Sequence, residues 1–435
     1  MGTAGAGGLR ARAGVRRADN TSNKMTAEPH CKSHGCRARL KGSAWSLALL
    51  GALVCASAHA QSAFSPYASV DYEHNSNLFA LPDDISLVPG ADPHKGDTDL
   101  KYLAGLEGAY AFGLQQITFD AEWRHFDYDH FNNLDHDEYL LDGKFLWKLA
   151  SALDGKIDYR QEHLMEPFAQ RISLVLALET ATRLEGTANW NIGSSWRLEG
   201  AVGENRLDAP QVGLPAYGLR EQFESGGLKY VAISNLSFGV TDIYTEGKFH
   251  GADVPDYTQN TVQLDVSEKL SGGRSTFSGS IGYTDRHTQG PGGNTSATVG
   301  SLTYSRQLTG KTHVNLSFNR SINSYITTAS SEIDTGVTAG AQWAATSKLS
   351  VAVQYQYLHA DFAAQPALDP INAGRRDHAQ QGDLSIDYQA LSWLKVHLYG
   401  QLQRRDSNIP LFTYDTNIVG LQVTARIGSA PAEQP

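Results

Sequence analysis

Apolar and polar residues alternate in this chain over runs longer than soluble strands usually reach, and that limits what it can fold into. Leu349, Val351, Val353, Tyr355 and Tyr357 fall on one side of Ser350, Gln354 and Gln356. Leu394, Val396, Leu398 and Leu402 oppose Lys395, His397, Gln401 and Gln403, and Val419, Leu421, Val423, Ala425 and Ile427 oppose Gln422, Thr424 and Arg426. A period of two places each set on its own face of a strand. Several runs last about 10 to 14 residues, enough to cross a bilayer at a tilt, whereas strands of a soluble sandwich average about 5 to 6.

Short polar turns recur near Phe112, Ala150, Ile192, Ala232, Gly272, Thr309, Thr346 and Ala390. Their spacing of about 40 residues fits two long strands and one longer loop per repeat. The longer connections are His74 to Asp97, Asp127 to Leu134, Met165 to Val175, Asp208 to Gly218, Phe249 to Asp256, Arg286 to Gly293, Ile322 to Ser331, Asp361 to Arg376 and Arg404 to Pro410. Eight short turns and nine long loops join eighteen strands, the first near Phe64 to His74 and the last near Thr413 to Ile427. Merging or splitting a strand would give about 16 or 20. The expected fold is all-β, a transmembrane antiparallel β-barrel with both termini on the short-turn, periplasmic side.

A WD40-type propeller also has a period of about 40 residues, but it needs a turn about every ten residues and recurring Gly-His and Trp-Asp pairs. This chain has neither. Trp147, Trp190, Trp196, Trp343 and Trp393 lie beside short turns, and Phe126, Tyr128, Phe131 and Tyr139 gather around the second long loop, as two interfacial girdles would require. No segment after the leader approaches about 18 uninterrupted apolar residues, which excludes a helical membrane protein.

Residues 1–60 read as a leader with an over-extended start, Met25 being the expected initiator. Arg37, Arg39 and Lys41 precede the apolar run Leu47 to Val54, and Ala58-His59-Ala60 offers a cleavage site before Gln61. Val54 stands where a lipobox before Cys55 wants a small residue, so the lipoprotein reading is set aside. The three cysteines, Cys31, Cys36 and Cys55, all lie in the leader, so the exported chain has no disulfide and no thiolate metal site. Of 36 Lys/Arg and 46 Asp/Glu, nine and two lie in the leader, which leaves the exported chain at a net charge of −17. Nucleic acid is an unsuitable partner for such a chain. The barrel is expected over 61–427 with a periplasmic tail at 428–435, in the cell outer membrane.

Chemistry is sparse. Asp127, Asp129, His130, Asp135 and His136, followed by Asp137 and Glu138, form the densest constellation, at an outer loop and its flanking strand ends. Such oxygens suit divalent cations, and acids among aromatics suit sugars, but the spacing matches no defined metal motif and reads first as solvated loop acids. No Gly-x-Ser-x-Gly, His-Glu-x-x-His or Walker loop occurs, so no catalytic residue, enzyme activity, metal or cofactor is expected. The glycines of Gln289 to Asn294 read as a loop.

The segment Phe64-Ser65-Pro66-Tyr67-Ala68-Ser69-Val70-Asp71-Tyr72-Glu73-His74-Asn75-Ser76-Asn77-Leu78-Phe79, followed by Leu81-Pro82-Asp83, resembles the start of the EpsL-type exopolysaccharide-biosynthesis outer-membrane β-barrels of exosortase/PEP-CTERM bacteria. Arg404 to Pro410, leading to Tyr414-Asp415-Thr416-Asn417, is similar to that family too. The resemblance implies a part in biosynthesis or export of an extracellular polysaccharide. Its implied partners are that polymer and other synthesis or export components, with outer-membrane lipid and lipopolysaccharide around the wall. Many outer-membrane barrels end in an aromatic residue; here the last strand is expected to end at Ile427, with a tail after it.

About eighteen strands enclose a lumen wide enough for water. Its expected inward residues are Asp120, Arg124, Asp142, Lys144, Arg160, Lys229, Asp265, Lys395, His397 and Arg426, as wall networks or as contacts to a glycan. Their mixed, net acidic character fits a neutral or cationic glycan, or cation-preferring diffusion. A polysaccharide barrel is the first reading and a general or nutrient porin for small solutes the alternative.

Overall fold

The computed structural model describes residues 62–428 except 89, 172–173, 210–216, 233–234, 251–254, 271–272, 290–293, 326–329 and 364–371. The expected leader and the tail beyond Gly428 lie outside the described residues. The first six strands are β1 (Ser62–Asn75), β2 (Asp97–Phe112), β3 (Gln115–Tyr128), β4 (His136–Leu149), β5 (Leu153–Met165) and β6 (Leu178–Ile192). The next six are β7 (Trp196–Ala209), β8 (Tyr217–Val231), β9 (Ser237–His250), β10 (Tyr257–Leu270), β11 (Ser275–Thr288) and β12 (Thr295–Gln307). The last six are β13 (Thr312–Tyr325), β14 (Ser330–Ala344), β15 (Leu349–Ala363), β16 (Arg376–Leu391), β17 (Leu394–Ser407) and β18 (Tyr414–Arg426).

Each strand pairs antiparallel with its sequence neighbours, and β1 pairs with both β2 and β18, so the 18-stranded sheet closes. Closure leaves no strand edge, and in a bilayer every backbone N–H and C=O needs such an internal partner. Two-residue alternation then decides what faces lipid. Val202, Leu264, Ile281 and Leu402 are well exposed on the outer wall. Phe112, Trp190, Trp196, Phe238, Trp343 and Trp393 are exposed near the short-turn rim, and Tyr72, Tyr102, Trp123, Tyr159, Tyr244, Tyr283 and Tyr355 are exposed farther up the wall. These are the two girdles of a membrane belt. Among the described residues no helix is long and apolar enough to cross a membrane.

The strand count and the alternation of short and long connections agree with the sequence expectation. The strands run farther at the long-loop end than expected, however, with β13 reaching Tyr325 and β17 reaching Ser407. Above the upper girdle the outward residues no longer meet lipid, so Arg404 and Asp406 sit in the ladder although they break the apolar pattern. The short turns use left-handed backbone at Gly113, Ala150, Gly193 and Gly273. Ala150, with φ of 57°, does so without the freedom of glycine.

Candidate functional site: the lumen and its mouth

The register that points apolar side chains at lipid sends the opposite set into the lumen. All ten expected lumen residues occupy that face. Arg160 Nη1 lies 3.5 Å from Asp142 and Lys144 Nζ 3.7 Å from the same carboxylate. Lys229 meets Glu199 at 2.8 Å, and Lys395 and His397 meet Asp387 at 2.7 and 2.8 Å. Arg124 pairs with Glu122 and lies 3.7 Å from Glu138, and Arg426 donates to Glu107. Asp265 accepts from Thr241 and Gln263, and Asp120 Oδ1 lies 3.3 Å from the Tyr67 hydroxyl. They form wall networks between neighbouring strands, in which a partly exposed pair is worth about 0–1 kcal/mol.

Three tyrosines give the wall a recurring joint that sequence reading missed. Tyr67, Gly105 and Glu122 lie side by side on β1, β2 and β3. Tyr399, Gly420 and Glu73 do so on β17, β18 and β1, and Tyr257, Gly247 and Glu221 on β10, β9 and β8. In each case the ring lies across the glycine of the middle strand, where a Cβ would overlap it, and the hydroxyl donates to the carboxylate two strands away. Tyr67 reaches Glu122 at 2.7 Å and Tyr399 reaches Glu73 at 2.6 Å. The signal in the sequence is a tyrosine at inward parity, such as Tyr67 among Ser65, Ser69 and Asp71. Pairing register, which one sequence does not disclose, supplies the rest.

Charge is unevenly spread around the lumen. From β16 through β18 and on to β8 the lumen positions carry carboxylates in excess over cations, among them Asp71, Glu73, Asp99, Glu107, Asp120, Glu122, Asp142 and Glu199. From β9 to β15 they are mostly hydroxyls and amides. Ser237 meets Ser267 at 2.7 Å, Thr261 meets Thr284 at 2.7 Å and Ser280 meets Ser301 at 2.9 Å. The lumen thus has an acidic wall and a largely neutral one.

Loops cover part of the long-loop mouth. Phe79, Leu81, Val88, Leu134 and Phe168 are buried together with the Tyr128 ring, and Ile85, Phe131 and Leu411 pack on them. Four connections meet there: β1–β2, β3–β4, β5–β6 and β17–β18. Arg405 on β17 donates to the Ala169 carbonyl of the β5–β6 loop at 2.6 Å, a contact that spans six strand positions of the wall. Asn77 staples the β1–β2 loop: its Nδ2 donates to the Leu81 and Asp415 carbonyls and its Oδ1 accepts from Leu81 N.

The acidic constellation serves mainly this loop architecture. Asp135 accepts from Tyr128 N at 2.9 Å, and Asp97 accepts from His130 N and Phe131 N. His136 is buried, stacks on Phe126 at 4.6 Å and donates Nδ1–H to the Leu134 carbonyl. Asp127, Asp129 and His130 are exposed, with His130 3.9 Å from Asp92. Among the described residues no three His, Cys, Asp or Glu side chains gather as a metal site.

Residues 251–427, the half of the barrel running into β18, match the family described as "Putative beta-barrel porin 2". The chain is an outer-membrane β-barrel. Its fold is similar to Pseudomonas aeruginosa OccK2 (OpdF), with 13% identity, a TM-score of 0.47, and 85% of this chain and 99% of that one covered. OpdK of the same organism, solved with vanillate, gives 12% identity and a TM-score of 0.43 over 84% and 99% of the two chains. OpdQ gives 15% and 0.44 over 84% and 98%. Comparison with curated proteins gives no match.

No comparison supports the exopolysaccharide family suggested by the chain ends, and the porin match backs the small-solute alternative. The two segments that carried that resemblance do meet in the barrel. Thr416 donates to Asn75 Oδ1 at 2.7 Å, Asn417 N to Ser76 Oγ at 2.8 Å, and Asn77 to the Asp415 carbonyl at 2.9 Å. Together they zip the first strand to the last at the mouth, a need that any closed barrel shares.

Proposed function

We propose that this barrel is a non-catalytic channel for small solutes that admits cations in preference to anions. The observation that carries the reading is the acidic wall from β16 to β8, whose carboxylates outnumber the cations paired to them. In a narrow, low-dielectric passage such a wall raises the local concentration of cations and repels anions. The loops gathered over that side of the mouth, with Arg405 reaching Ala169, suit small solutes better than a hydrated polymer strand. The termini, at the short-turn end, are proposed to be periplasmic, and lipopolysaccharide is the proposed neighbour of the opposite rim.

Two measurements test the proposal together. Proteoliposomes carrying the barrel should swell faster in a small amine salt than in a size-matched sugar acid salt, with a neutral sugar between them. A clean deletion should leave extracellular polysaccharide unchanged. Equal or inverted swelling rates refute the cation preference, and lost polymer that returns on complementation would reinstate the polysaccharide reading.

A further inference from the structure

At one node of the acidic wall a buried carboxylate oxygen, Asp99 Oδ1, has no hydrogen-bond partner among the described residues. Asp71, Glu73 and Asp99 project into the lumen from β1 and β2 around a single ammonium, that of Lys101. Lys101 Nζ lies 2.7 Å from Glu73 and 3.7 Å from Asp99 Oδ2. The Tyr399 hydroxyl lies between two carboxylates, 2.6 Å from Glu73 and 3.1 Å from Asp71 Oδ2. A phenol has one proton to give, so it cannot serve both at once. Asp99 is 7% exposed. Three carboxylates facing one ammonium and one hydroxyl leave the node short of positive charge and of donors.

The geometry points to a binding site for the ammonium or guanidinium end of a small organic cation, formed by Asp71, Glu73, Asp99, Lys101 and Tyr399. This rests on the channel reading above and names its substrate class. Lys101 is the tethered counterpart of such a ligand, and its position shows where a cation is held. Phe126, whose ring centre lies 5.5 Å from Lys101 Nζ, adds an aromatic face of the kind that favours cations. Asp99 explains how the site is vacated. When a solute ammonium takes Glu73 and Asp71, Lys101 closes on the Asp99 carboxylate, whose Oδ2 already lies 3.7 Å from its Nζ. Glu73 and Lys101 keep 18% and 14% of their side chains exposed, which is the face a solute meets.

Single-channel recording in planar bilayers with agmatine as probe, and glucose and glucuronate as controls, tests the site. Agmatine should interrupt the current with resolvable dwell times, and the two controls should not. Asp71→Asn and Glu73→Gln should each shorten the dwell about tenfold or more, the loss of one charge-assisted contact. Lys101→Met, which removes the tethered competitor, should lengthen it. A heat-dependent gel shift verifies that each variant folds, and Asp71→Asn alone suffices if Glu73→Gln does not. Absence of agmatine interruptions, or dwell times unchanged in both carboxylate variants, overturns the site. The KCl reversal potential of the same channels separates the two levels: retained cation preference without agmatine dwell overturns the site alone, and absent preference overturns the channel reading beneath it.

Discussion

Gly420→Ala isolates the tyrosine joint. A Cβ at Gly420 would stand 2.6 Å from Tyr399 Cε1, well inside van der Waals contact, and closer still to the ring tip. The ring must leave the strand surface, and its hydroxyl then loses Glu73 at 2.6 Å and Asp71. Forced repacking costs about 1–3 kcal/mol, and a hydrogen bond to a charged group is worth about 1.5–3 kcal/mol. Together they give a destabilisation on the order of 3–5 kcal/mol. The general expectation has the opposite sign, because Gly→Ala at a compatible site stabilises by about 0.4–1 kcal/mol through the unfolded chain. Urea unfolding of the barrel in lipid vesicles reads the difference. In a Tyr399→Ala background the same change should cost almost nothing, giving a coupling energy of roughly 3–5 kcal/mol, nearly the whole cost. Equal cost in both backgrounds, or a stabilised Gly420→Ala barrel, would refute the reasoning.

Further predictions concern the turns, the wall and the mouth. Ala150→Gly should stabilise by about 1 kcal/mol in the same unfolding assay, because a left-handed non-glycine residue costs about 1–2 kcal/mol; a neutral or destabilising result would count against the turn geometry. Leu264→Lys, on the lipid face, should cost about 2–4 kcal/mol near the midplane, and Gln263→Lys, one residue away on the lumen face, should cost far less. Similar costs would mean that the register is wrong. Asn77→Ala removes three hydrogen bonds at the β1–β2 loop and should raise single-channel conductance as the loop leaves the mouth; unchanged conductance would show that this loop does not narrow the passage.

The architecture was legible because a lipid-facing wall imposes a strict period of two, and because short turns such as Leu149 to Leu153 alternate with long connections such as Asn75 to Asp97. The inward parity of Asp120, Arg124, Lys229 and Arg426 followed from the same rule. What the sequence could not show depends on which residue stands beside which across strands. Tyr67 and Glu122 are 55 positions apart, yet only Gly105 separates them on the wall. The node around Lys101 was missed for the same reason, since Asp71, Glu73 and Asp99 come from two strands joined by a long loop. The acidic constellation around His130 drew attention through density in the sequence, whereas Asp135 and Glu138 cap backbone N–H groups and Asp127, Asp129 and His130 are exposed. The polysaccharide reading rested on two chain ends; they meet where the barrel closes, and no comparison supports that family.

The reversal potential of the reconstituted channel in a KCl gradient tests the central claim most directly. The acidic wall predicts a potential whose sign marks K⁺ as the more permeant ion, and a preference that weakens as salt screens the carboxylates. A potential of the opposite sign, favouring Cl⁻, would contradict the account.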